Sequence, residues 1–144
     1  MDLYAQILLE YNCSKKTTSA VQTPEGIEKI AGFGLPEDYR NYLLNFSRFE
    51  NHIQNEYVCL WDIDELIELN TGYGIFECLS NTIAIGGNGG GEFIAIEYMD
   101  MKSYRVVLSP FIDLDKECHV EIGGSFTDFL VRLDSGLEWF GHIA

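Results

Sequence analysis

The feature that most constrains this chain is a cluster of five glycines set between two apolar, β-rich runs, in the segment IAIGGNGGGEFIAIEY from Ile83 to Tyr98. Runs of this kind, joined by a short glycine-rich connection, predict a β-hairpin with strands over 82–86 and 92–98. Asn88 and Gly89 are expected at positions of positive φ in its turn, and the remaining glycines are expected to permit close backbone approach or a bulge. Gly86 and Gly91 have the outer spacing of a phosphate-binding loop, but Glu92 and Phe93 stand where Lys and Ser or Thr are needed. A carboxylate there repels phosphate, and the segment leads into a strand instead of a helix N-terminus. The dinucleotide fingerprint fails too, because no window has glycines at its first, third and sixth positions followed by a helix.

Around the hairpin the pattern is helical on the N-terminal side and strand-rich on the other. Leu3, Tyr4, Ile7, Leu8 and Tyr11 recur at helical spacing. Thr23 and Pro24 suit the N-cap and first position of a second helix, stopped by Gly32 and Gly34. Leu35 and Pro36 open a third, with Glu37 and Asp38 in its first turn and Tyr39, Tyr42, Leu43 and Phe46 as its buried stripe. Tyr57 to Trp61 form a short β-prone run, after which Asp62 and Glu65 make an acidic capping box for a helix over 63–70. Strands over 104–108 and 118–122 follow the hairpin, and Ser125 caps a last helix bearing Phe126, Phe129, Leu130 and Leu133, closed by Gly136. With no repeat or linker, the expectation is a single domain over residues 1–144. Its class is α+β, a central, mostly antiparallel sheet with flanking helices.

Charge narrows the possible partners. Against 9 basic side chains stand 23 acidic ones in 144 residues, a formal net charge of −14. Binding to nucleic acid depends on Lys and Arg displacing counterions from phosphate, so nucleic acid is excluded as a partner class, and anionic membranes are disfavoured alike. The interrupted, acidic N-terminus is not that of a signal peptide, and no apolar run approaches a membrane span, so a cytoplasmic location is expected. Cys13, Cys59, Cys78 and Cys118 lack the close pairing of zinc or redox sites and are expected to be reduced, mostly buried thiols.

Catalytic constellations are missing. There is no GxSxG elbow and no HExxH pair, and Cys118 and His119, as neighbours on one strand, would point to opposite faces. No catalytic residue, metal ligand or cofactor is therefore assigned. The acidic groups instead suggest contact with a basic protein: Asp62, Asp64, Glu65 and Glu68 cluster on one helix, with Trp61 beside them as an anchor, while Asn88 and Glu92 mark the glycine turn. Helix capping and a solvated face are the plainer reading of the first group, and Asp113, Asp115, Glu117 and Glu121 form a second stretch with the same two readings.

The order of segments resembles the Smi/Knr family of the SUKH superfamily. The resemblance rests on GLPEDYRNYLLNF (Gly34 to Phe46), LWDIDELIELN (Leu60 to Asn70), the glycine hairpin with its acidic Glu97, and SFTDFLVRL (Ser125 to Leu133). FENHI, Phe49 to Ile53, departs from the family, which commonly has an Asn-Gly turn there. The resemblance implies a non-enzymatic protein-binding scaffold. Bacterial members are similar to immunity proteins that neutralise cognate toxins, many of them nucleases, whereas fungal relatives regulate cell-wall glucan synthesis. A basic toxin domain is the partner so implied; a regulatory scaffold of glucan synthesis is the alternative, and an enzyme acting on a small cationic or sugar substrate is a third.

Overall fold

The computed structural model describes residues 2–101 and 103–142. Six strands pair in chain order into one curled antiparallel sheet: β1 (Phe49–Ile53), β2 (Glu56–Leu60), β3 (Thr82–Gly87), β4 (Glu92–Asp100), β5 (Ser103–Pro110) and β6 (Val120–Gly123). The helices are α1 (Leu3–Glu10), α2 (Pro24–Ala31), α3 (Glu37–Asn45), α4 (Leu66–Gly72), α5 (Ile75–Cys78) and α6 (Phe126–Asp134). The α+β class expected from the sequence is the one observed. α6 lies on β5 and β6 and packs against α1 and α3, while α4 and α5 pack on β3.

Local chemistry explains these boundaries. Thr23 accepts from the Gly26 amide at the start of α2, and Ser125 accepts from the Asp128 amide at the start of α6, so each cap satisfies an otherwise orphaned donor. Asp38 Oδ2 accepts from both the amide (2.9 Å) and the hydroxyl (2.8 Å) of Thr127, tying the first turn of α3 to that of α6. Between the helices, Tyr4, Tyr39, Tyr42, Phe46 and Phe126 interlock, with Phe126 in contact with Tyr4, Tyr39 and Tyr42 at centroid separations of 5.2–6.1 Å. Tilted and edge-on pairs of this kind add to the stabilisation from burial alone.

The glycine hairpin forms as expected, with one correction. Gly89 takes positive φ (77°) and Asn88 does not. Asn88 organises the turn through its side chain: Oδ1 accepts from the Gly90 amide at 3.0 Å and Nδ2 donates to Glu92 Oε1 at 2.8 Å. The bulge lies in β3, where the register with β4 shifts between Ala84 and Gly86. β2 meets β3 only through Cys59↔Gly87 and Leu60↔Gly86, and the Trp61 amide then donates to Ile85 O before the chain turns away.

Three further expectations need revision. FENHI, where the sequence reading places no element, is the edge strand β1, paired from Phe49↔Leu60 to Ile53↔Glu56. The Asp62–Glu65 capping box is present, but it caps a 3-10 turn, Ile63–Glu65, from which α4 continues. Cys118 ends a second 3-10 turn, outside β6. Of the four thiols, Cys13 and Cys59 are buried, Cys118 is half-buried and Cys78 is exposed, and all are free.

Glu97 is the most deeply buried carboxylate of the sheet, 4% exposed. It sits on β4 opposite Arg105 of β5 and accepts from Arg105 Nε at 2.9 Å and from His119 Nδ1 at 3.0 Å, with Lys116 Nζ 3.6 Å away. Burial pushes this carboxyl up, but the hydrogen bonds from His119 and Arg105 outweigh burial, so it titrates below its ordinary 4.5. A carboxyl depressed in the folded state stabilises the fold above its unfolded pKa, and that contribution is lost as pH falls through the folded value. Urea unfolding of the wild type and Glu97→Gln should therefore show a stability gap that is full at neutral pH and narrows as the solution is acidified below 4.5. A gap that stays constant through the acid range would refute the assignment.

Candidate protein-binding site

Three aromatic residues, each just beyond the end of a regular element, meet beside the glycine turn. Trp61 follows β2, Tyr73 follows α4 and Phe111 follows β5. The Phe111 amide donates to Gly91 O at 2.9 Å, which fixes this ring against the hairpin tip. Trp61 and Tyr73 lie nearly parallel, 6.3 Å between centroids and 13° between planes, and Tyr73 and Phe111 are 4.5 Å apart. Phe93, fully buried, supports Phe111 from below at 5.2 Å. Together with Cys59, Glu92 and the backbone of Gly87, Gly89 and Gly90, the three rings line a concavity of about 200 Å³.

The residues expected from sequence to meet a partner fall into two groups. Trp61 and Glu92 line this cup, and Asn88 adjoins it through its hydrogen bond to Glu92. Trp61 is only 6% exposed, so it forms the wall of the cup and does not project as a free anchor. Glu92 is half-buried, and its carboxylate accepts from Asn88; among the described residues it has no ion pair.

Asp62, Asp64 and Glu65 instead organise the chain around them. Asp62 pairs with Lys16 at 2.8 Å, and Asp64 accepts from the Val21 and Gln22 amides at 2.8–3.2 Å. Glu65 accepts from the Asp62 amide and holds Arg48 at 2.6–2.7 Å, while Glu50 holds the same guanidinium at 2.9 Å. These contacts strap the polar loop of residues 15–22 to the 3-10 turn. Glu68 is exposed. In the second acidic stretch Glu121 approaches Arg132 at 3.9 Å, whereas Asp113, Asp115 and Glu117 are exposed and, among the described residues, make no ion pair.

Tyr73 and Phe111 were not legible as site residues, since aromatic residues in an apolar sequence read first as core. Their one signal is position: Tyr73 precedes a helix-breaking glycine, Gly74, and Phe111 follows Pro110 into an acidic loop. A second groove, about 540 Å³, runs between Phe33, Leu35, Pro36, Tyr98 and Tyr104, and the Tyr104 hydroxyl donates to Gly34 O across it.

The two buried thiols, of which Cys59 lines the cup, are unreactive in character. Burial pushes Cys13 and Cys59 up to about 11, so both are protonated near neutral pH. Cys118 donates to Asp113 at 3.5 Å, and His119 is turned to Glu97. Among the described residues no three His, Cys, Asp or Glu side chains are grouped to hold a metal ion, and no helix is long and apolar enough to cross a membrane.

What the arrangement offers is a shaped, acidic, aromatic surface, which suits recognition of another protein. No curated protein matches the chain significantly. The stretch that supplies the α2 cap, the 3-10 turn, the cup and most of α6 is residues 22–132, which the model of the SMI1 / KNR4 family (SUKH-1) matches, and the chain belongs to that family, supporting a protein-interaction role.

Proposed function

We propose that this protein is an immunity protein that binds and neutralises a cognate bacterial toxin carrying a basic surface. The observation behind this reading is the location of unpaired acid: Glu92 rims the aromatic cup, and Asp113, Asp115 and Glu117 follow Phe111 in the adjoining loop, in a chain of net charge −14. A nuclease toxin suits it best, since its substrate surface is cationic and an acidic protein competes with the phosphate backbone for that surface. The contact face comprises Trp61, Asp62, Asp64, Glu65, Glu68, Asn88 and Glu92. In it Asp62, Asp64 and Glu65 act through their fixed positions and field, because internal contacts already hold them. Trp61 acts as a wall of the cup.

Co-expression supplies the test. A toxin domain encoded beside this gene should arrest growth alone and fail to do so with this chain present. The purified pair should associate more slowly as salt is raised, because exposed charges steer encounter and are screened. Capture of glucan-synthesis components, together with no protection against any such toxin, would replace this reading with a regulatory scaffold of cell-wall synthesis.

A further inference from the structure

We infer that the cup formed by Trp61, Tyr73 and Phe111 is a receptor for one cationic side chain, an arginine or lysine of the bound protein; this deepens, and rests on, the reading of the chain as a binder of a basic protein. Size comes first. At about 200 Å³ the concavity is smaller than the roughly 300 Å³ at which clefts for small-molecule ligands begin, and it has room for a single inserted side chain.

Its walls select charge. Aromatic faces carry negative quadrupole potential and attract ammonium or guanidinium groups, with Trp the strongest of the three ring types. Trp61, Tyr73 and Phe111 all line the cup, packed against one another in a row, and Tyr73 is 48% exposed, so part of it is open to a partner.

Glu92 decides between a cation and an apolar plug. Its carboxylate is fixed by Asn88 at 2.8 Å and has no cationic partner among the described residues. An apolar side chain would strip water from that carboxylate without replacing it, whereas a cation supplies the missing counter-charge. A resident cation beside the cup does not serve: Arg48 reaches Cys59 Sγ at 3.2 Å, but Glu50 and Glu65 already hold its guanidinium. Gly89 and Gly90 give the cup one wall of bare backbone, and at Gly89, whose φ is +77°, a Cβ would strike the Tyr57 ring at 2.7 Å.

The test titrates the isotope-labelled full chain with N-acetyl-arginine amide, N-acetyl-lysine amide and the uncharged isostere N-acetyl-citrulline amide, following the amides of Gly89 and Gly90 and the Trp61 indole. Saturable shifts at these groups are expected with both cations, and the citrulline compound should bind about tenfold more weakly. Glu92→Gln, which keeps the acceptor for Asn88, and Tyr73→Ala, at an exposed position, should each weaken the cationic probes by about tenfold. Equal response to citrulline, or shifts that Tyr73→Ala leaves unchanged, would overturn the inference. Toxin protection separates this from the broader reading. If Glu92→Gln and Tyr73→Ala lose the probe yet protect fully, the cup is not the receptor, and the toxin reading stands. If the wild type takes the probes but protects against no toxin, the cup stands and the toxin reading falls.

Discussion

Gly86→Ala should cost about 3 kcal/mol or more of folding stability, at or above the upper end of what overpacking usually costs, because no side-chain movement can relieve the clash. A Cβ at Gly86 would lie 1.9 Å from the Cys59 carbonyl oxygen, 2.9 Å from its carbon and 3.1 Å from Leu60 Cα, and all three are backbone atoms. Relief requires β2 to slide off β3. The two strands share only Cys59↔Gly87 and Leu60↔Gly86, so the junction has little pairing in reserve. Separation there also releases the Trp61 amide from Ile85 O and with it a wall of the aromatic cup. Gly91→Ala is the control: nothing lies within 4 Å of its Cβ position and its φ is ordinary, so its effect should stay within about 0.5 kcal/mol. Denaturant melts of the two variants check this. A Gly86→Ala protein as stable as the wild type would mean that the strands do not cross so closely.

The contrast between these glycines shows what the sequence could and could not reveal. The cluster announced a hairpin, because only a glycine-rich turn joins two β-rich runs so briefly. It did not reveal which glycine meets Cys59, since that depends on a neighbouring strand 27 positions away in the chain. Helix caps were readable from Thr23, Asp62 and Ser125, because capping is chemistry between residues two or three apart. Edge strand β1 was not. Glu50, Asn51 and His52 dilute its apolar alternation, and only Phe49 and Ile53 at its ends are buried. Site residues divide along the same line. Asn88 and Glu92 stood out by their place in the glycine turn and Trp61 by its type beside the acidic helix, whereas Tyr73 and Phe111 join them only when α4 and β5 deliver their ends to one place. Asp62 and Glu65 were legible as a cap, but the Lys16 and Arg48 contacts that occupy them were not.

Asn70→Leu should lower stability by about 3 kcal/mol, because it removes the side chain that stands in for a missing strand. On the N-terminal side of Gly86, at Ala84, β3 no longer has β2 as a neighbour. Asn70 of α4, fully buried, takes its place: Nδ2 donates to Ala84 O at 2.9 Å and Oδ1 accepts from the Ala84 amide at 2.7 Å, while Nδ2 also donates to Leu66 O at 2.8 Å. Leucine has nearly the same shape and gains from burial, but it leaves a buried amide and a buried carbonyl of Ala84 unpaired, each costing about 1–3 kcal/mol. Asn70→Asp should be worse near neutral pH, since it keeps the acceptor but sets a buried charge against the Ala84 carbonyl. Beyond the loss of stability, amide exchange at Ala84 should quicken in Asn70→Leu. Because Tyr73 follows α4 directly, loosening this helix from β3 should also weaken cationic probes at the cup in protein that is still folded. An unchanged Ala84 exchange rate in a stable Asn70→Leu protein would show that other packing holds α4 to the sheet.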